Sequence, residues 1–233
     1  MGHFRFRTEM VVRSGLIAFF LIGQCIPALR LEGQELADYD YGNLAVRGIS
    51  LDYGNFSLKN FEEAESYSVK LDLGFLGPGI RMATRASYWS SLMLPEGIAS
   101  FESSLSNLIL TQGGSLPSNN LDLGPIRRDD FSLALEADYV WSIPLGFLFS
   151  TGLGASAHLV NATTSIPDDT FLDDLLDSVT GGIHIQGGLE FLLTDRIRIH
   201  GGSRVGLVGN DRFLEFSGGL TFLWGELLSG EFR

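Results

Sequence analysis

Cysteine is nearly missing from this chain. One in 233 residues, Cys25, excludes a disulfide scaffold and any cysteine-rich zinc module. Positive charge is also scarce. Sixteen Lys and Arg stand against 28 Asp and Glu, and a net charge of −12 argues against a broad nucleic-acid-binding face. Beyond the N-terminus there is no run of the ~18 apolar residues that a membrane-spanning helix needs. Glycine is abundant, at 29 residues, but has no every-third-residue period, so collagen is excluded. Gly152-Leu-Gly154, Gly181-Gly182 and Gly201-Gly202 are not phosphate loops, because they lie inside alternating segments where glycine relieves crowding or permits bends. With 45% hydrophobic and 19% charged residues, the chain is not disordered as a whole.

The N-terminus reads as an address. Arg5, Arg7 and Arg13 precede a short apolar run at 16–22, and Ala28 offers a small residue for cleavage, the pattern of a secretory signal over 1–28. Glu9 interrupts the cationic start, and the segment reads more cleanly from Met10. Cys25 sits where a lipoprotein cysteine would, but Gln24 before it departs from the small residue such a site wants. Residues 29–43 then form a periplasmic lead-in.

From residue 44 the pattern has period two. Tyr67, Val69, Leu71, Leu73 and Phe75 alternate with Ser66, Ser68, Lys70, Asp72 and Gly74, one greasy face and one polar face of a strand. The same alternation predicts strands at 44–53, 65–76, 79–91, 130–142, 145–159, 182–193, 196–208 and 211–224. Arg47 breaks the parity of the first. Connections after the second, fourth and sixth strands are tight, and those after the first, third and fifth are long. Gly209-Asn210 is short again.

Alternation alone does not say which face points inward. A soluble lipocalin-like carrier of a hydrophobic ligand alternates too, with its apolar face inside. Three features favour apolar-outward. The polar face is rich in Gly, Ala and Ser, which suit the crowded interior of an eight-stranded barrel. Its charges nearly cancel: Lys70, Arg81, Arg85, Arg198 and Arg204 against Asp52, Asp72, Glu136, Asp138, Glu190 and Glu215. An enclosed lumen demands such balance, since an unpaired buried charge is costly. Aromatics (Tyr67, Phe75, Tyr88, Tyr139, Trp141, Trp224) sit near strand ends, where membrane interfaces want them. The expected fold is all-β, an eight-stranded antiparallel up-and-down transmembrane β-barrel over 44–224, with a tail at 225–233 and two longer loops carrying short helices.

In this architecture, without any specific motif, the chain resembles the small eight-stranded bacterial outer-membrane barrels, such as the OmpA membrane domain, OmpX and OmpW-like proteins. The resemblance covers about residues 44–224. It implies residence in the outer membrane, contact with its lipid and lipopolysaccharide, insertion by the outer-membrane assembly machinery, and a monomer with a structural or surface-interaction role. Such barrels usually end on an aromatic residue that closes the last strand. Here Trp224 closes it, but 225–233 follow, with Phe232 next to last.

Other chemistry is thinner. Ile98, Phe101, Leu105 and Leu108 predict a helix in the long connection at 92–129, and Asp168–Asp177 alternates apolar and acidic faces with no EF-hand spacing. His184, His200 and Glu190 are zinc-type donors, but nothing local fixes their geometry, and the histidines read as hydrogen-bonders in the lumen. No metal or cofactor is expected. Ser156 and His158 share a face at i, i+2, the residue types of a nucleophile beside its base and so of a lipid-modifying enzyme. They face the lumen, not lipid, and no catalysis is expected of them.

Overall fold

The computed structural model describes residues 44–77, 79–111, 123–143, 146–163 and 178–224. The signal at 1–28, the lead-in at 29–43, the acidic loop around 168–177 and the tail at 225–233 lie outside them. Eight strands form a closed antiparallel barrel: β1 (Leu44–Leu58), β2 (Ala64–Gly77), β3 (Ile80–Leu92), β4 (Arg127–Ile143), β5 (Phe147–Thr163), β6 (Ser178–Thr194), β7 (Ile197–Val208) and β8 (Asp211–Leu223). Each strand pairs with its sequence neighbour, and β8 closes on β1 from Gly48↔Leu223 to Leu58↔Phe213. Closure leaves no sheet edge unpaired, which a strand-built structure in hydrocarbon requires.

The greasy parity points outward. Leu51, Leu133, Leu135, Leu153 and Ile183 are all more than half exposed, whereas Glu136 and Glu215 are 0% and 1% exposed. This orientation overturns the lipocalin-like alternative, which needs the apolar face inside. Two aromatic girdles bound the greasy belt. Tyr53, Tyr67, Tyr88 and Phe131 are successive cross-strand partners near the long-loop rim. Two tyrosine hydroxyls bond polar groups there, Tyr67 donating to Glu65 (2.8 Å) and Tyr88 to Asp129 (3.0 Å). At the short-turn rim, Tyr139 packs on Trp141 and Trp141 on Phe149, with ring centroids 4.6 and 5.4 Å apart. Phe131 and Tyr139 lie eight residues apart on β4. At ~3.3 Å per residue and ~40° tilt that is about 20 Å of height, close to the ~25 Å apolar band of such barrels.

Several strand ends differ from the sequence expectation. β1 runs on to Leu58 and β5 to Thr163, β4 begins at Arg127 and β6 at Ser178, so the strands stand taller at the long-loop rim. The first connection is therefore short, 59–63, with Asn60 in the left-handed region (φ 68°). In β2 the register moves from Asp72↔Ala83 to Phe75↔Arg81, an extra residue that makes a bulge at Gly74 (φ 82°). Phe75 thus shares the inward parity of Arg81, and Leu76 takes the outer face. This corrects the outward placement of Phe75.

The third connection folds into α1 (Pro95–Thr111). Pro95 suits the first turn, where its missing N–H is not needed, and Glu96 complements the positive end. Leu105 is buried, and Ile98 and Phe101 pack on Leu123, Ile126 and Ala162. Leu108, expected on the same face, is 50% exposed. The helix lies packed on the rim.

Candidate functional site

Most inward slots of the barrel's lower two-thirds are polar or small, Phe75, Val140 and Leu148 near the short turns excepted, and the charges there form two linked tiers. Nearest the short turns, Arg81 of β3 donates two hydrogen bonds to Glu190 of β6, one of them Nη1 to Oε2 at 3.0 Å. Arg198 of β7 donates to the same carboxylate (3.2 Å), and Asp138 lies 3.9 Å from Arg81. Gln186 donates to Asp138 at 2.6 Å. Asp72 accepts the Gly74 amide at 2.8 Å and so holds the bulge. Lys70 is half-buried at the same level.

The middle tier centres on Arg85. Its Nε donates to Glu136 at 2.7 Å and its Nη1 to Asp52 at 2.6 Å, so one guanidinium joins β3 to both β4 and β1. Arg204 donates to Glu215 at 2.9 Å through Nε and lies 3.6 Å from Glu136. Ser66 and Ser68 donate to Glu215 and Asp52. The planar fork of arginine suits such shared carboxylates better than the point charge of lysine. Beside this tier is a cavity of about 40 Å³ lined by residues including Lys70, Asp138, Gln186 and His200, room for about three waters at ~10–15 Å³ each.

The zinc-type donors are not brought together. His200 bonds Asp52 (2.5 Å) and Thr221 (3.1 Å), His184 faces Glu136 at 3.6 Å, and Glu190 is taken by two arginines.

Towards the long-loop rim the inward slots turn apolar. Phe56, Leu58, Phe61, Ala64, Trp89, Val208 and Phe213 form a buried cluster, with Trp89 stacked on Phe56 at 4.6 Å. Sequence reading missed this inner plug because its members occupy slots that are polar lower down. Beside it, Ser156 Oγ lies 2.9 Å from His158 Nε2, and His158 Nδ1 lies 2.8 Å from Asp130 Oδ1. Asp130 is wholly buried and also accepts from Arg128 Nη2 at 3.0 Å. Arg128 in turn sits over the rings of Trp89 and Phe61, 5.3 and 5.6 Å from their centroids. Asp130 was not a sequence candidate. It belongs to β4, one step diagonal from His158 in the register Ser132↔His158, Asp130↔Val160.

No protein-family model matches the sequence, and no curated protein is similar to it by sequence. Among solved structures, the fold is similar to Neisserial surface protein A at 14% identity, with a TM-score of 0.47, over 76% of this chain and 96% of that one. The N-terminal β-barrel domain of Pseudomonas aeruginosa OprF is similar at 11% identity and a TM-score of 0.45, over 76% and 97%. Ail, the attachment invasion locus protein of Yersinia pestis, is similar at 9% identity and a TM-score of 0.43, over 78% and 99%. A closed barrel with a greasy exterior, two aromatic girdles and an ionic interior is the architecture of a small eight-stranded outer-membrane β-barrel.

Proposed function

We propose that this protein is a plugged outer-membrane barrel with a structural or surface-interaction role, and that it is not a wide pore. The observation that carries this reading is the double closure of the lumen, by the Arg81–Glu190 and Arg85–Glu136–Asp52 tiers below and by the Trp89 cluster above. Outer-membrane lipid and lipopolysaccharide would contact the belt and its girdles. The assembly machinery would act on the strands during insertion, and the closed barrel would remain a monomer because it offers no free edge.

Reconstitution in planar bilayers tests it. The folded protein is expected to show no stable large conductance steps while keeping the heat-modifiable gel mobility of a folded barrel. Large, steady channels from that same folded band would overturn the plugged reading.

A further inference from the structure

We propose that Ser156, His158 and Asp130 form a nucleophilic site inside the outer mouth that cleaves carboxylic acyl esters. The inference goes beyond the structural role and does not depend on it.

The geometry meets each requirement of an activated serine. Nucleophile and base lie within hydrogen-bond reach, and a third group orients the base. Asp130 accepts the proton on Nδ1 of His158 (2.8 Å), which leaves the Nε2 lone pair facing Ser156 Oγ at 2.9 Å. Arg128 holds the far oxygen of Asp130, so the carboxylate stays in place.

Exposure is graded in the useful direction. Asp130 and His158 are 0% and 5% exposed, while Ser156 is half-buried. Gly182, opposite Ser156 on β6, lets the wall pack close to the pair: a Cβ there would lie 2.6 Å from Ser156 Oγ and 3.0 Å from His158 Nε2. A side chain at 182 would therefore crowd both reacting atoms. Arg128 Nε is a buried donor with no hydrogen-bond partner among the described residues. The Trp89 cluster, joined to the triad through Arg128, supplies an apolar neighbour for an acyl chain.

In the reaction Ser156 Oγ bonds to the acyl carbon as its proton passes to His158 Nε2. The ester C–O bond then breaks, and the leaving alkoxide takes that proton. Water repeats the sequence: it gives a proton to Nε2, its oxygen bonds the acyl carbon, and the acyl–Oγ bond breaks with the proton returned to Oγ. The products are an alcohol and a carboxylic acid. Ser156 and His158 are the catalytic residues, and Asp130 is a positioning residue.

The test uses the refolded full barrel in detergent micelles, its fold monitored by heat-modifiable mobility. A fluorophosphonate is expected to form one adduct, mapped by peptide mass spectrometry to Ser156, with fluoride displaced. p-Nitrophenyl butyrate and a diacyl phospholipid are offered separately. Turnover of the first alone marks a soluble ester, and turnover of the second marks a lipid ester. Ser156→Ala and His158→Ala should abolish turnover, and Asp130→Asn should lower it on the order of 10²-fold or more and shift its pH profile, because the wrong histidine tautomer is then favoured. A folded wild-type barrel with no adduct at Ser156 and no turnover of either ester overturns the proposal, a result that needs no variant to fold.

Discussion

Arg81 and Glu190 meet across the lumen, from β3 to β6, through two parallel hydrogen bonds. Two strands, β4 and β5, lie between them the short way around the wall and four the long way, so the pair acts as a strut across the barrel. Both are buried, at 4% and 6% exposure. Breaking such a pair leaves a charge without its main partner. Arg81→Met is therefore expected to cost about 3–5 kcal/mol, and joint replacement to cost less than the sum of the two single changes, Arg198 then being left without Glu190. Arg198 would still hold Glu190 in the single variant, at 3.2 Å, which places the cost towards the lower end of that range. Denaturant titration of Arg81→Met, Glu190→Leu and Arg81→Met/Glu190→Leu in the same detergent checks this. A double loss equal to the sum of the single losses would show that the strut is not a coupled unit.

The belt predicts a depth-dependent cost on the outer face. Leu135 lies mid-strand and is 52% exposed, while Asn161 lies on the outer face of β5 near the long-loop rim. Arginine at 135 is expected to cost about 2–4 kcal/mol in a bilayer, and at 161 about 0–1. Unfolding from phospholipid vesicles measures both, and equal costs would contradict the height assigned to the belt.

The belt was legible in the sequence because strand side chains alternate between two environments, and its facing because the polar parity carried small residues and nearly cancelling charges. The residues that were not legible share one cause, that their position depends on register. Phe75 changes side because of the bulge at Gly74, which no local pattern announced. Phe56, Trp89 and Phe213 fill inward slots at one height only, a height that becomes common to β1, β3 and β8 once the barrel closes. Ser156 and His158 were visible as a same-face pair, but Asp130 reaches them from another strand through a diagonal that pairing alone sets. Likewise, the near balance of inward charges was countable, but which arginine meets which carboxylate was not.

Wall packing separates two glycines on the neighbouring strands β6 and β7. A Cβ on Gly206 would meet Ile183 O at 2.2 Å and His184 Cβ at 2.7 Å, both parts of the neighbouring strand. A Cβ on Gly181 would meet nothing within 4 Å. Gly206→Ala is expected to destabilise the barrel by about 1–3 kcal/mol through forced backbone shifts, and Gly181→Ala to be nearly silent. Gel mobility across a temperature ramp distinguishes them, and a Gly206→Ala barrel as resistant as wild type would show that the β6–β7 wall gives way easily.

The upper plug predicts a variant that changes both stability and permeability. Trp89 is 3% exposed, stacked on Phe56, edge-on to Phe61 at 6.4 Å, and covered by the Arg128 guanidinium. Truncation to alanine removes the largest side chain of the cluster and is expected to cost about 3–5 kcal/mol. It also strips Arg128 of one of its two ring contacts, which loosens the group that holds Asp130. The ionic tiers beneath do not touch Trp89 and should still close the lumen, so conductance is expected to stay near that of the wild-type barrel. Only the combination of Trp89→Ala with Arg81→Ala and Arg85→Ala, which removes the upper plug and the arginine of each tier, should admit small ions. Bilayer recordings of the single and triple variants decide the matter: a conducting Trp89→Ala barrel would mean that the upper plug alone seals the lumen and that the arginine–carboxylate tiers leave a continuous path for ions.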